Sequence, residues 1–501
     1  MVHKLHKNDE SVEALVIGSG FGGAVAALRL GQAGIDTVVL ERGRRWQITP
    51  AQNTFATPHN PDGRAAWLSP ETIFGQPIDI HTGVMETLVE DGIIVLNGAG
   101  VGGGSLVYNS IIYQPIPELF QKVFPSSISY DELDTVYYPR VHSVLQPSPI
   151  PSDILNTIYY DTTRLFLQHA TQAGFRNHLL ELAVDWDIVR EEINGTKVQS
   201  TIIGDHWWGI NSGAKKSLDR NYLSQAEKTG FVEVLPLHVA VEIAESPEAG
   251  YRVSCHQINE SGEVVEHKSF RCRYLFLAAG SMGTSKLLVK AKATGSLPRL
   301  NNYVGKFWSS NGDTIATRSN LPPVSGKGGP AGAVLENFDD LDRPIVLINL
   351  ENWASPEGTQ QCLGLGLPSQ SGTFTYDAST DSVKLHYPRE TQLMVDTENT
   401  YKTLDSKNAI STKTPMTEMK FYTPTTTNRP APETDVVITA HPLGGAVLGK
   451  ACDDYGQVSG YRGLYVVDGA LIPGSTGCTN PAYTIAALAE RCMDRIIADI
   501  H

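Results

Sequence analysis

The sequence predicts an α/β fold with two domains: a doubly wound sheet extended by a small antiparallel meander, and an α+β domain built on an antiparallel sheet. Three observations support this. A strand, a glycine-rich turn, a helix and a second strand follow one another near the N-terminus. Buried-strand patterns recur at residues 274–280 and from residue 464. Residues 316–435 are instead rich in Pro, Gly, Ser and Thr and contain short strand-like runs, which indicate an antiparallel sheet.

The N-terminal unit carries the first motif. An apolar strand at residues 14–17 enters the turn "GSGFGG", a helix follows to residue 31, and a second strand ends at Glu41. The first glycine of such a turn permits a sharp bend, the second admits a pyrophosphate, and the third allows the helix to pack closely. The carboxylate of Glu41 is placed to accept hydrogen bonds from the adenosine ribose hydroxyls. This spacing predicts a Rossmann-type dinucleotide site, for FAD or a nicotinamide, formed by Gly18, Gly20, Phe21, Gly22, Gly23 and Glu41.

A second glycine cluster occupies residues 97–110, "NGAGVGGGSLVYNS". So many glycines disfavour the interior of a helix or strand, because glycine loses the most backbone entropy on folding. The flanking runs "IIVL" and "SLVYNSII" are apolar, which disfavours a flexible surface loop. We therefore expect main chain pressed against a planar ring or a phosphate, with a site formed by Gly100, Gly102, Gly103, Gly104, Ser105 and Asn109.

The C-terminal third contains two further features. A strand over residues 464–467 ends at Asp468-Gly469, and Asn480-Pro481 begins a long helix with an apolar period. Upstream, His441 opens the stretch "HPLGG". Either this histidine begins an ordinary turn, or the small residues after it hold an imidazole against a flat, reactive group. Between these blocks, residues 237–246 and 250–259 alternate like an antiparallel hairpin or meander.

Composition narrows the function classes. The 501 residues carry a formal net charge of −14, which argues against a nucleic-acid partner. The six cysteines are scattered without metal-ligand spacing, so we expect reduced, mostly buried thiols and no metal site. No apolar run is long enough for an integral membrane segment. The N-terminus has no signal-peptide pattern, and we therefore expect a cytoplasmic protein.

These motifs resemble those of the glucose–methanol–choline (GMC) oxidoreductases, and within them the bacterial cholesterol oxidases. The resemblance runs nearly end to end and includes "VIGSGFGGAVAALRLGQAGIDTVVLERG", "GAGVGGGSLV", "KKSLDRNYL", "SGTFTYDASTD", "HPLGGAVLG" and "NPAYTIAALAER". It implies a discontinuous FAD-binding domain (residues 1–115, 215–315 and 436–501) and a substrate-binding domain (residues 116–214 and 316–435). Residues 403–436 are the expected flexible stretch.

The resemblance also implies the cofactor, the partners and the roles of individual residues. FAD would be bound non-covalently, since "VLNGAG" offers no histidine or cysteine for attachment and His81 is interpreted as an ordinary loop residue. A hydride would pass from an apolar alcohol to flavin N5, and oxygen or another acceptor would reoxidise the flavin. His441 would act as the base or hydrogen-bond partner, together with Asn480. The further cofactor contacts are Val239, Ala279, Gly280, Asp468, Gly469, Asn480 and Pro481.

Three departures from the family pattern bear on the substrate. The family has a carboxylate for double-bond isomerisation in the substrate domain, but Asn349 stands nearest to that position here and Glu351 reaches it only with a shift. Glu351 is therefore either a catalytic acid–base group or a solvated charge at a strand end. "GSTGCTNPAY" holds one residue more before Asn480, which could displace that side chain. Finally, bulky Tyr108, Ile111 and Tyr113 either reshape the pocket or belong to the core.

Two functions from different classes follow. The first is oxidation of a hydrophobic secondary alcohol, such as a sterol or terpenoid, to the ketone. The second is a redox-neutral isomerisation or cyclisation of an apolar biosynthetic intermediate on the same scaffold. Oligomeric state is open at this level.

Overall fold

A computed structural model of the chain describes residues 9–246, 250–351, 353, 356–388, 390–410 and 437–500. The strands are β1 Asp9–Ile17, β2 Thr37–Leu40, β3 Met85–Glu90, β4 Ile93–Gly98, β5 Ile111–Ile112, β6 Arg176–Leu179, β7 Glu181–Leu182, β8 Val232–Leu235, β9 His238–Ser246, β10 Gly250–Ile258, β11 Val264–Leu277, β12 Thr314–Arg318, β13 Ala333–Asn337, β14 Ile345–Asn349, β15 Gln360–Gly366, β16 Thr373–Asp377, β17 Ser382–His386, β18 Val437–Thr439 and β19 Leu464–Val466. The helices are α1 Phe21–Gln32, α2 Pro117–Val123, α3 Tyr130–Glu132, α4 Tyr138–Leu145, α5 Ser152–Leu155, α6 Asp161–Gln172, α7 Trp186–Asn194, α8 Tyr222–Lys228, α9 Gly280–Thr294, α10 Thr391–Lys407 and α11 Pro481–Ile500.

The first sheet has the strand order β8-β2-β1-β11-β10-β9, and β19 pairs with the C-terminal end of β11. Strands β8, β2, β1, β11 and β19 run parallel, while β9, β10 and β11 form an antiparallel meander. Every residue of β2 is buried, as expected for a parallel strand covered on both faces. The predicted Rossmann-type fold with its small meander is confirmed.

Helix α1 packs directly on this sheet because two of its residues lack side chains. A Cβ atom at Gly22 would lie 1.8 Å from the carbonyl oxygen of Val467, and one at Gly23 would lie 2.0 Å from that of Gly18. Helices α8 and α11 pack against α1, and α11 is buried over most of its length. The turn between β1 and α1 is thereby fixed at the carboxyl ends of the parallel strands.

The second sheet is antiparallel, with the order β12-β15-β14-β13-β6. Helices α6 and α10 cover one of its faces. The guanidinium of Arg318 on β12 is fully buried and donates to Asp405 of α10 at 2.7 Å. The predicted antiparallel sheet is therefore present, and the division into domains at the stated residues stays a prediction.

Three features of residues 316–435 go beyond the predicted antiparallel sheet. The run "GTFTYD" forms β16, which pairs with β17 in a separate hairpin packed on α9 rather than joining the second sheet. The region also contains the helix α10, whose residues Leu393, Thr397, Thr400, Tyr401 and Leu404 are buried at helical spacing. Of the stretch predicted to be flexible, residues 403–407 end this helix, and residues 411–436 lie outside the described residues.

The predictions about membrane segments, metal sites and cysteines can be compared with the described part of the chain. None of its helices is both long and apolar enough to cross a membrane. It likewise contains no cluster of three or more His, Cys, Asp or Glu side chains suited to a metal ion. All six cysteines are buried and unpaired. The cytoplasmic location stays a prediction from the sequence.

Candidate active site

A single continuous cavity of about 570 Å³ is walled by both sheets. Five segments from the side of the first sheet contribute: the β1–α1 turn, the end of β2, residues 97–109, the β11–α9 turn and the start of α11. Residues 438–442 and 468–469 and parts of β3, β4, β9, β12 and β15 also line the cavity. The cavity therefore lies outside the carboxyl ends of the parallel strands, where doubly wound sheets bind their ligands.

One end of the cavity is a glycine cradle. Gly20 caps the N-terminus of α1, and a Cβ atom at Gly20 or Gly104 would meet no atom of the described chain within 4 Å. A side chain at either position would instead point into the cavity. Gly103 brings the two glycine turns together, because a Cβ there would lie 2.7 Å from Cα of Gly20. Exposed backbone at a helix N-terminus is what a pyrophosphate requires, so the cradle fits a dinucleotide.

Glu41 lines the same end of the cavity and is only 5% exposed. Its carboxylate accepts hydrogen bonds from the backbone N–H of Ser19 at 3.2 Å, the hydroxyl of Ser19 at 2.6 Å and the backbone N–H of Gly43 at 2.9 Å. The Ser19 hydroxyl in turn accepts from the N–H of Gly102 at 3.1 Å. Glu41 thus holds the shape of both glycine turns through Ser19, a link for which the sequence gives no signal.

The wall contains most of the predicted cofactor residues. Those that line it are Gly18, Gly20, Phe21, Gly22, Glu41, Gly103, Gly104, Asn109, Val239, Ala279, Gly280, Asp468, Gly469, Asn480 and Pro481.

Four predicted contacts, Gly23, Gly100, Gly102 and Ser105, lie behind the wall and support it. A Cβ atom at Gly100 would lie 2.6 Å from Cδ1 of Trp46, so the glycine is needed for packing. The Ser105 hydroxyl donates to the carbonyl oxygen of Gly102 at 2.7 Å and accepts from the N–H of Leu218 at 2.9 Å.

His441 lies on the cavity wall between two partners. Its Nδ1 atom is 2.8 Å from Oδ1 of Asp313, and its Nε2 atom is 3.2 Å from Nδ2 of Asn480. The other oxygen of Asp313 accepts from the Thr439 hydroxyl at 2.8 Å and the Ala440 N–H at 3.1 Å. This pattern assigns the proton of a neutral imidazole to Nδ1 and leaves Nε2 as an acceptor. The amide of Asn480 lies within reach of His441, so the displacement considered from the sequence is not observed.

Glu351 lies on a more apolar part of the wall, with Ile315, Leu350, Leu363 and Trp207. Burial raises the pKa of its carboxyl to about 7, and the charge of Lys215 opposes that rise. Its Oε2 atom has no hydrogen-bond partner among the described residues.

Asn349, the other candidate for this position, faces away from the cavity. Its side chain accepts from the Ala333 N–H at 2.8 Å and donates to the Thr163 hydroxyl at 3.1 Å. Of the two, it is Glu351 that presents a polar group to the cavity.

The bulky residues after the second glycine cluster divide between wall and core. Tyr108 and Ile111 line the cavity, whereas Tyr113 is buried and donates to a carboxylate oxygen of Glu336 at 2.5 Å. His81 lies outside the wall, near Arg44. Its position gives no support to a covalent flavin link, and non-covalent binding stays a prediction.

Comparison with known proteins agrees with this geometry. Residues 374–489 match the family described as GMC oxidoreductase, and residues 13–71 match the FAD binding domain. A cholesterol oxidase of Mycobacterium tuberculosis is 26% identical, and the alignment covers 96% of this chain and 90% of that protein. A cholesterol oxidase of Acinetobacter baumannii is 24% identical, with 98% and 95% covered.

Two solved structures share the fold. A pyridoxine 4-oxidase from Mesorbium loti superposes with a TM-score of 0.64 at 14% identity, covering 97% of this chain and 99% of that one. A fungal aryl-alcohol oxidase gives a TM-score of 0.65 at 13% identity, covering 99% and 100%. The sequence matches, together with the cradle, establish that the chain binds FAD.

Proposed function

We propose that this chain, an FAD-dependent oxidoreductase of the GMC type that acts on CH–OH donors, oxidises a hydrophobic secondary alcohol of the sterol or terpenoid class to the ketone. The observation that carries the proposal is the placement of His441, held by Asp313 and beside Asn480, in the same cavity as the glycine cradle. A base and a dinucleotide cradle in one cavity are what alcohol oxidation by hydride transfer requires.

The residues divide the chemistry between them. FAD, when bound, supplies the acceptor for the hydride from the carbinol carbon. His441 accepts the hydroxyl proton at Nε2 while the carboxylate of Asp313 holds the Nδ1 proton and stabilises the resulting imidazolium. Asn480 has an unpartnered amide oxygen in the described structure and an NH₂ group beside the imidazole, so its amide can orient the hydroxyl and donate to the developing oxyanion.

The apolar wall supports the substrate class. Tyr108, Ile111, Ile315, Leu350 and Leu363 present hydrocarbon and aromatic surface to the cavity. Such a surface favours a large apolar body over a sugar or a small polar alcohol. The two relatives described above are named cholesterol oxidases, which supports a polycyclic secondary alcohol with oxygen as the electron acceptor.

Glu351 favours a further proton transfer on the same substrate. As a buried carboxyl with a raised pKa and one unpartnered oxygen, it is suited to take a proton from the carbon next to a new ketone and return it elsewhere. This step moves a double bond and leaves the oxidation state unchanged. The same observation also supports a second candidate function, that of a redox-neutral isomerase or cyclase acting on an apolar intermediate.

Anaerobic mixing tests the proposal. The purified flavoprotein would be mixed with 3β-hydroxysteroids, terpene alcohols and fatty alcohols, and the flavin absorbance would be followed before air is readmitted. We expect bleaching by a secondary alcohol of the first two classes, then recovery in air with peroxide formed. A flavin that dithionite reduces but no alcohol bleaches, together with isomerised product, would favour the redox-neutral candidate.

A further inference from the structure

We propose that Asn311 is a positioning residue that holds the catalytic Asn480 against His441. The inference rests on the proposed function, because it assigns to Asn311 a role in setting the geometry of that reaction. Asn311 is fully buried and lies outside the cavity wall, so it acts through the loop that carries Asn480.

The side chain of Asn311 is bonded to both ends of a short loop. Its Oδ1 atom accepts from the Thr476 backbone N–H at 2.9 Å and lies 3.2 Å from the Thr476 hydroxyl oxygen. Its Nδ2 atom donates to the carbonyl oxygen of Thr479 at 2.8 Å, directly before Asn480. Its own backbone N–H donates to the carbonyl oxygen of Gly474 at 3.2 Å. Asn311 therefore fixes the path of residues 474–479.

This loop has a backbone that needs external support. Gly474 and Gly477 have positive φ angles of 77° and 82°, and Cys478 adopts φ 64° although it carries a side chain. A left-handed conformation at a non-glycine residue persists only where its surroundings hold it. Cys478 lies two residues before Asn480, so its left-handed turn helps to set the direction in which the chain enters that residue. Asn311 supplies the hydrogen bonds on either side of that turn.

One short segment thereby controls both members of the catalytic pair. Asp313, two positions after Asn311, holds the imidazole of His441. Ser309, two positions before it, exchanges backbone hydrogen bonds of 2.8 and 3.1 Å with Leu443. The relative placement of His441 and Asn480 is consequently set by residues 309–313, and a shift of this segment would separate them.

A double-mutant cycle tests the proposal. Asn311→Gly keeps the left-handed backbone available and removes every side-chain hydrogen bond of Asn311. The rate of anaerobic flavin reduction by saturating substrate would be measured for Asn311→Gly, Asn480→Ala and the double variant, with FAD content measured in each. We expect Asn311→Gly to reduce the rate about ten- to hundredfold with FAD retained. We expect the double variant to be no more than about twofold slower than Asn480→Ala, because both act through one contact.

Two further variants keep the test interpretable. Asn320→Gly is the matched control, since Asn320 has the same φ of 59° but is exposed and lies outside the cavity wall. It should leave the rate unchanged. Thr476→Val removes the threonine hydroxyl, which donates to Thr479 at 2.6 Å, and should also lose its effect when Asn480 is already Ala. This variant serves if Asn311→Gly fails to fold.

The experiment distinguishes failure of the proposed role of Asn311 from failure of the proposed function. Losses that multiply in the double variants, or Asn311→Gly reducing flavin at the wild-type rate while Asn480→Ala is slow, would overturn the role of Asn311 and leave the proposed function intact. Undiminished reduction in Asn480→Ala itself would instead remove the catalytic pair on which the inference rests.

Discussion

The Nδ1 atom of His441 lies 2.8 Å from Oδ1 of Asp313, a residue 128 positions earlier in the chain. The carboxylate is only 2% exposed, and its second oxygen accepts from the backbone and side chain of residues 439–440. It therefore anchors the loop before the histidine as well as the ring itself. A base held in this way keeps one tautomer and one orientation, which a reactive imidazole needs.

Asp313→Asn should slow anaerobic flavin reduction about ten- to hundredfold while FAD stays bound. An amide has only one acceptor oxygen. The asparagine oxygen can therefore accept either from the imidazole N–H or from the donors of Thr439 and Ala440. Its NH₂ group then faces the remaining N–H or O–H donors, with which it cannot form a hydrogen bond. Stopped-flow reduction at several pH values would measure the loss. Asp91→Asn is the matched control, because Asp91 pairs with the exposed His386. Equal rates in both variants would contradict the role of Asp313.

Glu41→Ala should weaken FAD binding by about 1 to 3 kcal/mol through lost hydrogen bonds. Part of this loss comes from the turn, because Ser19 and Gly43 lose their acceptor. Titration of the apoprotein with FAD, followed by flavin fluorescence, measures the change. Glu233→Ala on the neighbouring strand β8 has an exposed side chain and serves as the control. Unchanged affinity in Glu41→Ala would rule out its role.

Glu351 should make stability fall as the pH rises towards neutrality. Burial raises the pKa of its carboxyl from 4.5 to about 7, so the unfolded chain releases this proton first. Between those pH values the unfolded state binds fewer protons than the native state, and stability from this group declines and then levels off above about pH 7. The Tm of Glu351→Gln should therefore fall less than the Tm of wild type as the pH rises from 5 to 8. Parallel Tm profiles would show that the carboxyl does not titrate in this way.

The same substitution should separate the two proposed reactions. Glu351→Gln should retain alcohol-dependent flavin reduction and lose the double-bond shift, which appears as ultraviolet absorbance of a conjugated enone. Glu390→Gln is the control, since Glu390 is also buried but lies outside the cavity wall. Isomerised product at the wild-type rate from Glu351→Gln would assign that step to another group.

Lys215→Met should move the pH dependence of this isomerisation upward. The charge of Lys215 is one of the contributions that lower the pKa of Glu351 against burial, so its removal raises that pKa and keeps the carboxyl protonated to higher pH. The apparent pKa of the isomerisation rate measures the shift. Lys216→Met is the neighbouring control, because the Lys216 ammonium instead donates to the carbonyl oxygen of Gln146 at 2.8 Å. An unshifted profile in Lys215→Met would exclude this electrostatic coupling.

Local patterns allowed much of the fold and site to be predicted. The β1–α1–β2 unit and both glycine turns are recognisable from short stretches of sequence, although the glycines admit distant backbone, as Gly22 admits Val467 and Gly103 admits Gly20. His441 and Asn480 stand in distinctive sequence blocks, and the resemblance to the GMC oxidoreductases implies that the two act together. The role of Asp313 could not be predicted, because its segment has no periodicity or glycine pattern of its own. Its partner, His441, is also distant in the chain.

The remaining errors have physical causes as well. Helix α10 was hidden because its buried face uses threonines beside leucines, which weakens the apolar period. The sequence predicts that Gly100 and Ser105 contact the cofactor, but both lie behind the wall. Composition cannot distinguish a glycine that contacts a ligand from one that, like Gly100, leaves room for Trp46. Cys478 adopts a left-handed backbone that its residue type does not favour, so the path of the loop before Asn480 could not be predicted from the sequence.

The most direct test of the central claim is a single-turnover comparison of wild type and His441→Gln, mixed anaerobically with the alcohol that best bleaches the wild-type flavin. His386→Gln, at an exposed histidine–carboxylate pair, is the control. We expect His441→Gln to bind FAD normally and to lose about a hundredfold or more of the reduction rate, with dithionite reduction unchanged. Bleaching of His441→Gln at the wild-type rate would contradict the role of the imidazole as the base.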